Sequence, residues 1–214
     1  MRDAIADIRK TYAQAQLLES ETASEPMEQF GRWWNQALEA QIDEVNAMTL
    51  ATVDANGMPD ARIVLLKGVD AAGFHFYTNY QSQKGIQLES NGQGALVFFW
   101  KELERQVRVR GRIERMPASE SDRYFHSRPK ESQLGAIASP QSSVIEGRDW
   151  LDQRYESVEQ EYKEKDPVRP PHWGGFRLIA DSVEFWQGRP GRMHDRIAYK
   201  KDPSGSWLRQ RLAP

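Results

Sequence analysis

Between residues 26 and 45 the apolar side chains Phe30, Trp33, Ala37 and Ile42 recur at intervals of three to five, which places them on one stripe of an α-helix. Ser24 stands where it can cap that helix, with Pro26 in the first turn, where a missing N–H costs little. Residues 3–18 also read as helical, and the polar stretch 19–25 as a linker. From Met48 the period shortens to that of β-strands. Residues 49–53 lead into Asp54-Ala55-Asn56-Gly57, an Asn-Gly hairpin signal between apolar runs, and 61–67 form the return strand. Residues 73–78 read as a strand, 82–90 as a short helix, and 94–100 with 106–115 as a strand pair. Residues 118–138 are helical in two pieces broken at Pro129, and 147–165 form a longer helix. The run Asp166-Pro167-Val168-Arg169-Pro170-Pro171 is loop, after which strands over 176–186, 192–199 and 206–209 close the pattern.

About eight strands, several at hairpin spacing with helices inserted between them, predict a mainly β, α+β fold: a small antiparallel barrel with peripheral helices. Strands and helices do not alternate regularly, which disfavours a Rossmann sheet, and none of the common nucleotide-binding or hydrolase motifs occurs. The domain plan expected is a partly mobile arm over 1–24 and a single domain over 25–214. Seven Trp, eight Phe and seven Tyr among 214 residues supply the bulk of a core. A net charge of -2 argues against a general nucleic-acid or membrane-surface protein, so any basic site is local. The absence of cysteine excludes disulfides, Cys-ligated metal and a thiol nucleophile, and four scattered His predict no metal site. The N-terminus has no continuous apolar stretch of the signal-peptide kind, and the apolar runs 63–66 and 95–100 are too short to span a bilayer. A cytoplasmic protein is expected.

Four clusters carry candidate chemistry. In Arg62-Ile63-Val64-Leu65-Leu66-Lys67 two cations bracket four apolar residues; on a regular strand they face opposite sides, so they serve different groups or flank a bulge. The plain alternative is a buried strand with snorkelling ends. Gln106, Arg108, Arg110 and Arg112 share one strand face, which suits phosphate or RNA, or equally a solvated face paired with Glu102, Glu104 and Glu114. The near-neutral charge favours the solvated face for most of them. Tyr124, Arg128 and Ser132 fall at i, i+4 and i+8, three donors suited to phosphate oxygens, although Pro129 interrupts the helix and Ser132 is also placed to cap the next one. Finally, a Gly188-Arg189-Pro190-Gly191 turn joins two strands, and Arg192, His194 and Arg196 alternate beyond it, with Trp186 on the neighbouring strand. That face can hold an anionic, planar ligand; the alternative is a solvated strand with a structural His.

The stretch from Glu184 to Arg196, E-F-W-Q-G-x-x-x-R-M-H-D-R, resembles the signature of the pyridoxine (pyridoxamine) 5′-phosphate oxidases, FMN enzymes of the split-barrel fold. Supporting matches run from Arg9 to the closing Trp207-Leu208-Arg209-Gln210-Arg211-Leu212-Ala213-Pro214. The resemblance implies FMN contacts from Arg62, Ile63, Val64, Leu65, Leu66 and Lys67, and from Tyr77, Thr78, Gln83 and Lys84. It adds Gln106, Gln141, Ser142, Trp186 and Arg196 to the flavin set. It implies substrate contacts from Lys67, Tyr124, Arg128, Ser132, Arg192, Met193 and His194. The segment Arg9, Lys10, Thr11 and Tyr12 matches one that covers the substrate. One departure is Gln83-Lys84, where the family usually has Arg-Lys; Gln donates a hydrogen bond without bringing charge, which implies a weaker hold on FMN.

What the resemblance implies is oxidation of pyridoxine or pyridoxamine 5′-phosphate to pyridoxal 5′-phosphate, with O2 reduced to hydrogen peroxide. Arg192 and His194 are the catalytic candidates, orienting the reacting end of the pyridine and assisting proton transfer. A two-fold homodimer with FMN sites at the subunit interface is expected, with neither nucleic acid nor membrane as partner. The rival readings are another flavoenzyme of the same barrel, a non-catalytic pyridoxal-phosphate carrier, and a nucleic-acid module on the Arg108–Arg112 face.

Overall fold

The computed structural model describes residues 10–214, so Arg9 lies outside the described residues. Helix α1 (Pro26–Glu39) starts at a proline, as expected, but its N-cap is Glu25 rather than Ser24 and makes no side-chain cap bond. It ends at Glu39 instead of near 45, because Gln41 (φ 52°) and Glu44 (φ 43°) turn the backbone left-handed. Residues 10–18 are not helical either. Their backbone donors go to distant carboxylates: Glu104 accepts from the N–H groups of Ala13 and Gln14 at 2.9 and 3.2 Å, and Asp195 from Leu17 at 3.0 Å.

Among the described residues nine strands follow: β1 (Ala47–Val53), β2 (Pro59–Leu65), β3 (Gly68–Asp70), β4 (Gly73–Asn79), β5 (Gln93–Trp100), β6 (Arg105–Arg115), β7 (Trp173–Gln187), β8 (Asp195–Lys201) and β9 (Trp207–Leu212). They hydrogen-bond in the order β2-β1-β5-β6-β7-β4-β3, with β8 on β7 and β9 on β8. The strand beyond the expected eight is β3, whose three residues are too few to show a period. The remaining helices are α2 (Gln83–Asn91), α3 (Ala118–Ser127), α4 (Lys130–Ala138) and α5 (Arg148–Glu161). The break between α3 and α4 falls at Pro129 as expected, with Arg128 pushed to an extended conformation (φ -79°, ψ 152°) by the proline after it. Ser132 does not cap α4, whose N-cap is Pro129.

The expected hairpin forms, whereas one expected strand starts later than its pattern put it. The β1–β2 hairpin is closed by a longer turn in which the Asp54 carboxylate accepts from the N–H groups of Asn56 and Met58, both at 2.8 Å. The strand expected from 192 begins only at Asp195, because Arg192 sits in a 3-10 turn (Pro190–Arg192) with φ 62°. The alternating Arg192-His194-Arg196 face therefore does not form; Arg196 alone is in the ladder, opposite Trp186. On β6, Val107 and Val109 are buried and Arg108, Arg110 and Arg112 exposed, the solvated-face alternative.

The described residues fall into two compact units. One holds the residues up to Leu50, Ala95–Gly111 and Ala180–Pro214. Its core forms where α1 lays Phe30 against Phe98 and Trp33 against Phe185, each pair with ring centroids 5.2 Å apart. The other holds Ala51–Gly94 and Arg112–Ile179. Here β4 pairs antiparallel with β7, Phe76 opposite Phe176, over a core that includes Phe74, Leu88 and Phe125. No helix among the described residues is long and apolar enough to cross a membrane.

Candidate functional site

The unit formed by Ala51–Gly94 and Arg112–Ile179 contains a cavity of about 590 Å³. Strand β2 contributes Arg62, Ile63, Val64 and Leu65, and Lys67 follows it. β2 ends the strand order among the described residues, so one of its backbone edges has no strand partner there. Tyr77 and Thr78 come from β4, Lys84 from the first turn of α2, Tyr124 from α3, Arg128 and Pro129 from the α3–α4 break, and Ser132 from the first turn of α4. Gln141 and Trp173 complete the wall. The i, i+4, i+8 set is thus brought together although its helix is broken. The close fit around Tyr77 requires glycine at 175, where a Cβ would run into the Tyr77 ring and the Met116 sulfur.

Among the described residues four cations line this cavity, Arg62, Lys67, Lys84 and Arg128, and no carboxylate does. Burial pushes Lys84 below its usual range, and the neighbouring Arg62 pushes it further; Asp60 pulls the other way. Burial likewise pushes the Arg128 guanidinium down, with Tyr124 opposing. Among the described residues, Arg128 Nη1 and Gln133 Oε1 are buried side-chain atoms with no hydrogen-bond partner. A buried, unsatisfied guanidinium N–H is costly and is relieved by an anionic oxygen. The walls are flat and aromatic. Tyr77 stacks on Tyr124 with centroids 3.9 Å apart, Trp173 lies nearly parallel to both, and the Arg128 guanidinium sits 4.7 Å from the Trp173 ring centroid. Trp173 figured in the sequence only as one of many large aromatics. The signal it carried was its place beside two glycines that let rings approach the backbone.

The other unit gathers a second set. The rings of Trp186 and His194 are 4.6 Å apart, and Tyr12 stands edge-on to both at 5.8 and 5.9 Å. Gly188 makes room for Tyr12, since a Cβ there would meet its ring. His194 Nδ1 accepts the Arg189 N–H at 3.0 Å, so the neutral imidazole carries its proton on Nε2. Lys10 lies 3.6 Å from the buried Glu104 carboxylate. Arg196 donates to Glu184 at 2.9 Å and to the Ala213 carbonyl at 2.8 Å, and the Glu184 bond holds its guanidinium above its usual range. Arg192 and Met193 are exposed, as is Thr11.

Of the residues singled out in the sequence, Arg62, Ile63, Val64, Leu65, Lys67, Tyr77, Thr78, Lys84, Tyr124, Arg128, Ser132 and Gln141 line the one cavity. Leu66 is buried in the core, and Gln83 and Ser142 are exposed and outside the lining. Gln106, Trp186, Arg192, Met193, His194, Arg196, Lys10, Thr11 and Tyr12 belong to the other unit.

An antiparallel sheet dressed with helices, carrying a cation-lined cleft with aromatic walls, defines a split-barrel protein suited to an anionic, planar ligand. Residues 34–162 match the family model described as pyridoxamine 5'-phosphate oxidase, and residues 173–214 match the pyridoxine 5'-phosphate oxidase C-terminal dimerisation region. A pyridoxine/pyridoxamine 5'-phosphate oxidase of Cupriavidus necator is 54% identical over 213 residues, covering 98% of this chain and 99% of its own. Among solved structures, PhzG from Burkholderia lata 383, in complex with tetrahydrophenazine-1-carboxylic acid, superposes with a TM-score of 0.88 at 28% identity, covering 94% of this chain and 99% of its own. A pyridoxamine 5'-phosphate oxidase-related, FMN binding protein from Nostoc punctiforme shares the fold, with a TM-score of 0.70 at 16% identity over 89% of this chain and 98% of its own. The chain belongs to the pyridoxamine 5'-phosphate oxidase family.

Proposed function

We propose that this protein oxidises pyridoxine 5′-phosphate or pyridoxamine 5′-phosphate to pyridoxal 5′-phosphate in the cytoplasm, with FMN as cofactor and O2 as electron acceptor. The observation that carries this reading is the carboxylate-free cavity whose four cations include a buried guanidinium N–H donor without a partner. FMN and substrate each bring a phosphate of about -1.5 to -2 charge, so two esters call for several cations. The residues fit both. Arg62 and Lys84 suit the flavin phosphate, and the open edge of β2 offers backbone donors and acceptors to a flat ring. Lys67 and Arg128, with the hydroxyls of Tyr124 and Ser132, suit the substrate phosphate.

FMN held by these residues would supply the two-electron oxidation at the substrate C4′ carbon, with O2 as the final acceptor and hydrogen peroxide as its product. The protein's own part is binding and orientation. With Nδ1 occupied by the Arg189 N–H, His194 offers Nε2–H as a hydrogen-bond donor that holds the substituent on C4′ in place. Arg192 orients the same end of the pyridine, while Gln106, Trp186 and Arg196 serve the flavin and Lys10, Thr11 and Tyr12 the substrate side. The assembly in this reading is a homodimer with FMN at the subunit interface. The match of residues 173–214 to a dimerisation region supports it, and so does the exposed apolar surface on β2, where Ile63 is 64% exposed.

The test is an oxidase assay on the FMN-loaded chain with each substrate. Pyridoxal 5′-phosphate and hydrogen peroxide should appear in equal amounts as O2 falls, with ammonia released from the amine. Flavin-loaded protein that turns over neither substrate overturns the reading.

A further inference from the structure

Behind Arg62, four side chains close a ring of hydrogen bonds. Arg62 Nη1 donates to Thr52 Oγ1 at 2.6 Å, and Thr52 Oγ1 donates to Gln87 Oε1 at 2.5 Å. Gln87 Nε2 donates to Asp60 Oδ2 at 3.3 Å. Arg62 Nη2 completes the ring, donating to the same Asp60 oxygen at 2.5 Å and to Gln87 Oε1 at 3.3 Å. The donors and acceptors agree throughout: the Thr52 hydroxyl accepts on one side and donates on the other, and the Gln87 amide turns its oxygen to Thr52 and its NH2 to the carboxylate.

Thr52 on β1 and Gln87 on α2 are 2% and 5% exposed and do not line the cavity, whereas Arg62 on β2 does. Three elements thus converge on one guanidinium. A long side chain that must be ordered when a ligand arrives loses affinity to rotamer entropy, and one already held by buried partners does not. The ring also lets two cations share a wall: Arg62 drives the Lys84 ammonium down, and Asp60 offsets part of that effect.

The structure assigns Thr52 and Gln87 as positioning residues that hold Arg62 ready for the flavin phosphate, an assignment that rests on the reading of the cavity given above. The resemblance to the family places neither residue in the site.

The test titrates the full chain, stripped of flavin, with FMN and with riboflavin, which lacks the phosphate. Flavin fluorescence reports binding, and Tm is recorded for each variant. Thr52→Val keeps the shape and deletes the hydroxyl, Thr52→Ser restores it, and Gln87→Met keeps the length without the amide. Thr52→Val and Gln87→Met should each weaken FMN about tenfold while leaving riboflavin within about twofold, and Thr52→Ser should stay near the parent. An unchanged FMN-to-riboflavin preference in Thr52→Val and Gln87→Met overturns the assignment. So does equal weakening of both flavins, the result of a merely structural role. Arg62→Met checks the underlying reading separately. If the preference survives Arg62→Met, Arg62 is not a phosphate ligand and the inference falls with that reading. If Arg62→Met abolishes the preference while the Thr52 and Gln87 variants keep it, the positioning role alone falls.

Discussion

In the cavity unit burial pushes Arg128 and Lys84 below their usual ranges, whereas in the unit carrying the C-terminus carboxylates hold Arg196 and Arg211 above theirs. Arg196 is tied to Glu184, and Arg211 to Glu19 and Asp195. Arg189 also faces Asp195, at 3.6 Å. Among the described residues no acid lines the cavity around Arg128. The same residue type therefore plays two parts, decided by what stands opposite. A desolvated guanidinium with an unpartnered N–H, as at Arg128, is binding capacity for an anion, and a cation matched to a carboxylate is a structural tie. Arg62 stands between these cases, lining the cavity while bonded to Asp60.

The largest effect is expected at Arg128. Arg128→Met should raise KM for either phosphorylated substrate about a hundredfold, through loss of two charge-assisted bonds. Its Tm should be unchanged or higher, because an unpartnered buried cation is removed. A lower Tm with KM unchanged would place Arg128 among the structural ties. Next comes Arg196→Met, which takes a partner from Glu184, a carboxylate only 13% exposed. The expected cost is about 1–3 kcal/mol, lowering Tm by several degrees in a melting scan. An unchanged Tm would show that the tie to Glu184 adds nothing to stability.

A smaller effect should separate the pair Glu19–Arg211 by pH. The Arg211 bond holds the Glu19 carboxyl near about 2, against its ordinary 4.5. A depressed folded-state pKa stabilises above the unfolded value, and that stability is lost as pH falls from about 4.5 towards 2. Tm measured from pH 6 down to pH 3 should therefore fall less steeply in Glu19→Gln than in the parent. Parallel curves would mean that the pair contributes nothing. The smallest effect is expected at Gln83, exposed and outside the cavity lining: Gln83→Arg should tighten FMN by at most about twofold in a fluorescence titration. A tenfold gain would show that this position reaches the phosphate.

Local chemistry made much of the fold legible. Pro129 broke the helix where its ring demands, and the strand runs with their turn residues marked the sheet. Features that depend on distant partners were not legible. The N-terminal segment reads as helix by composition, yet its backbone donors are taken by Glu104, 91 residues away, and Asp195, 178 residues from Leu17. Arg192 lies in an apparently regular alternation, but one left-handed residue after Gly191 ends it. Within the site, charged and aromatic positions stood out by type, while Thr52 and Gln87 belong to no motif. A signal was present for Thr52: Met48, Leu50 and Thr52 occupy successive buried positions on β1, and a hydroxyl in that series needs a buried partner.

The most direct test of the central claim, that the cations lining one cavity receive two phosphates, is a crystal structure of the FMN-loaded protein with pyridoxal 5′-phosphate. The account predicts the flavin phosphate on Arg62 and Lys84, and the product phosphate on Lys67 and Arg128 with the Arg128 Nη1 donor satisfied. Either phosphate bound away from these side chains, with Arg128 Nη1 still unpartnered, would contradict it.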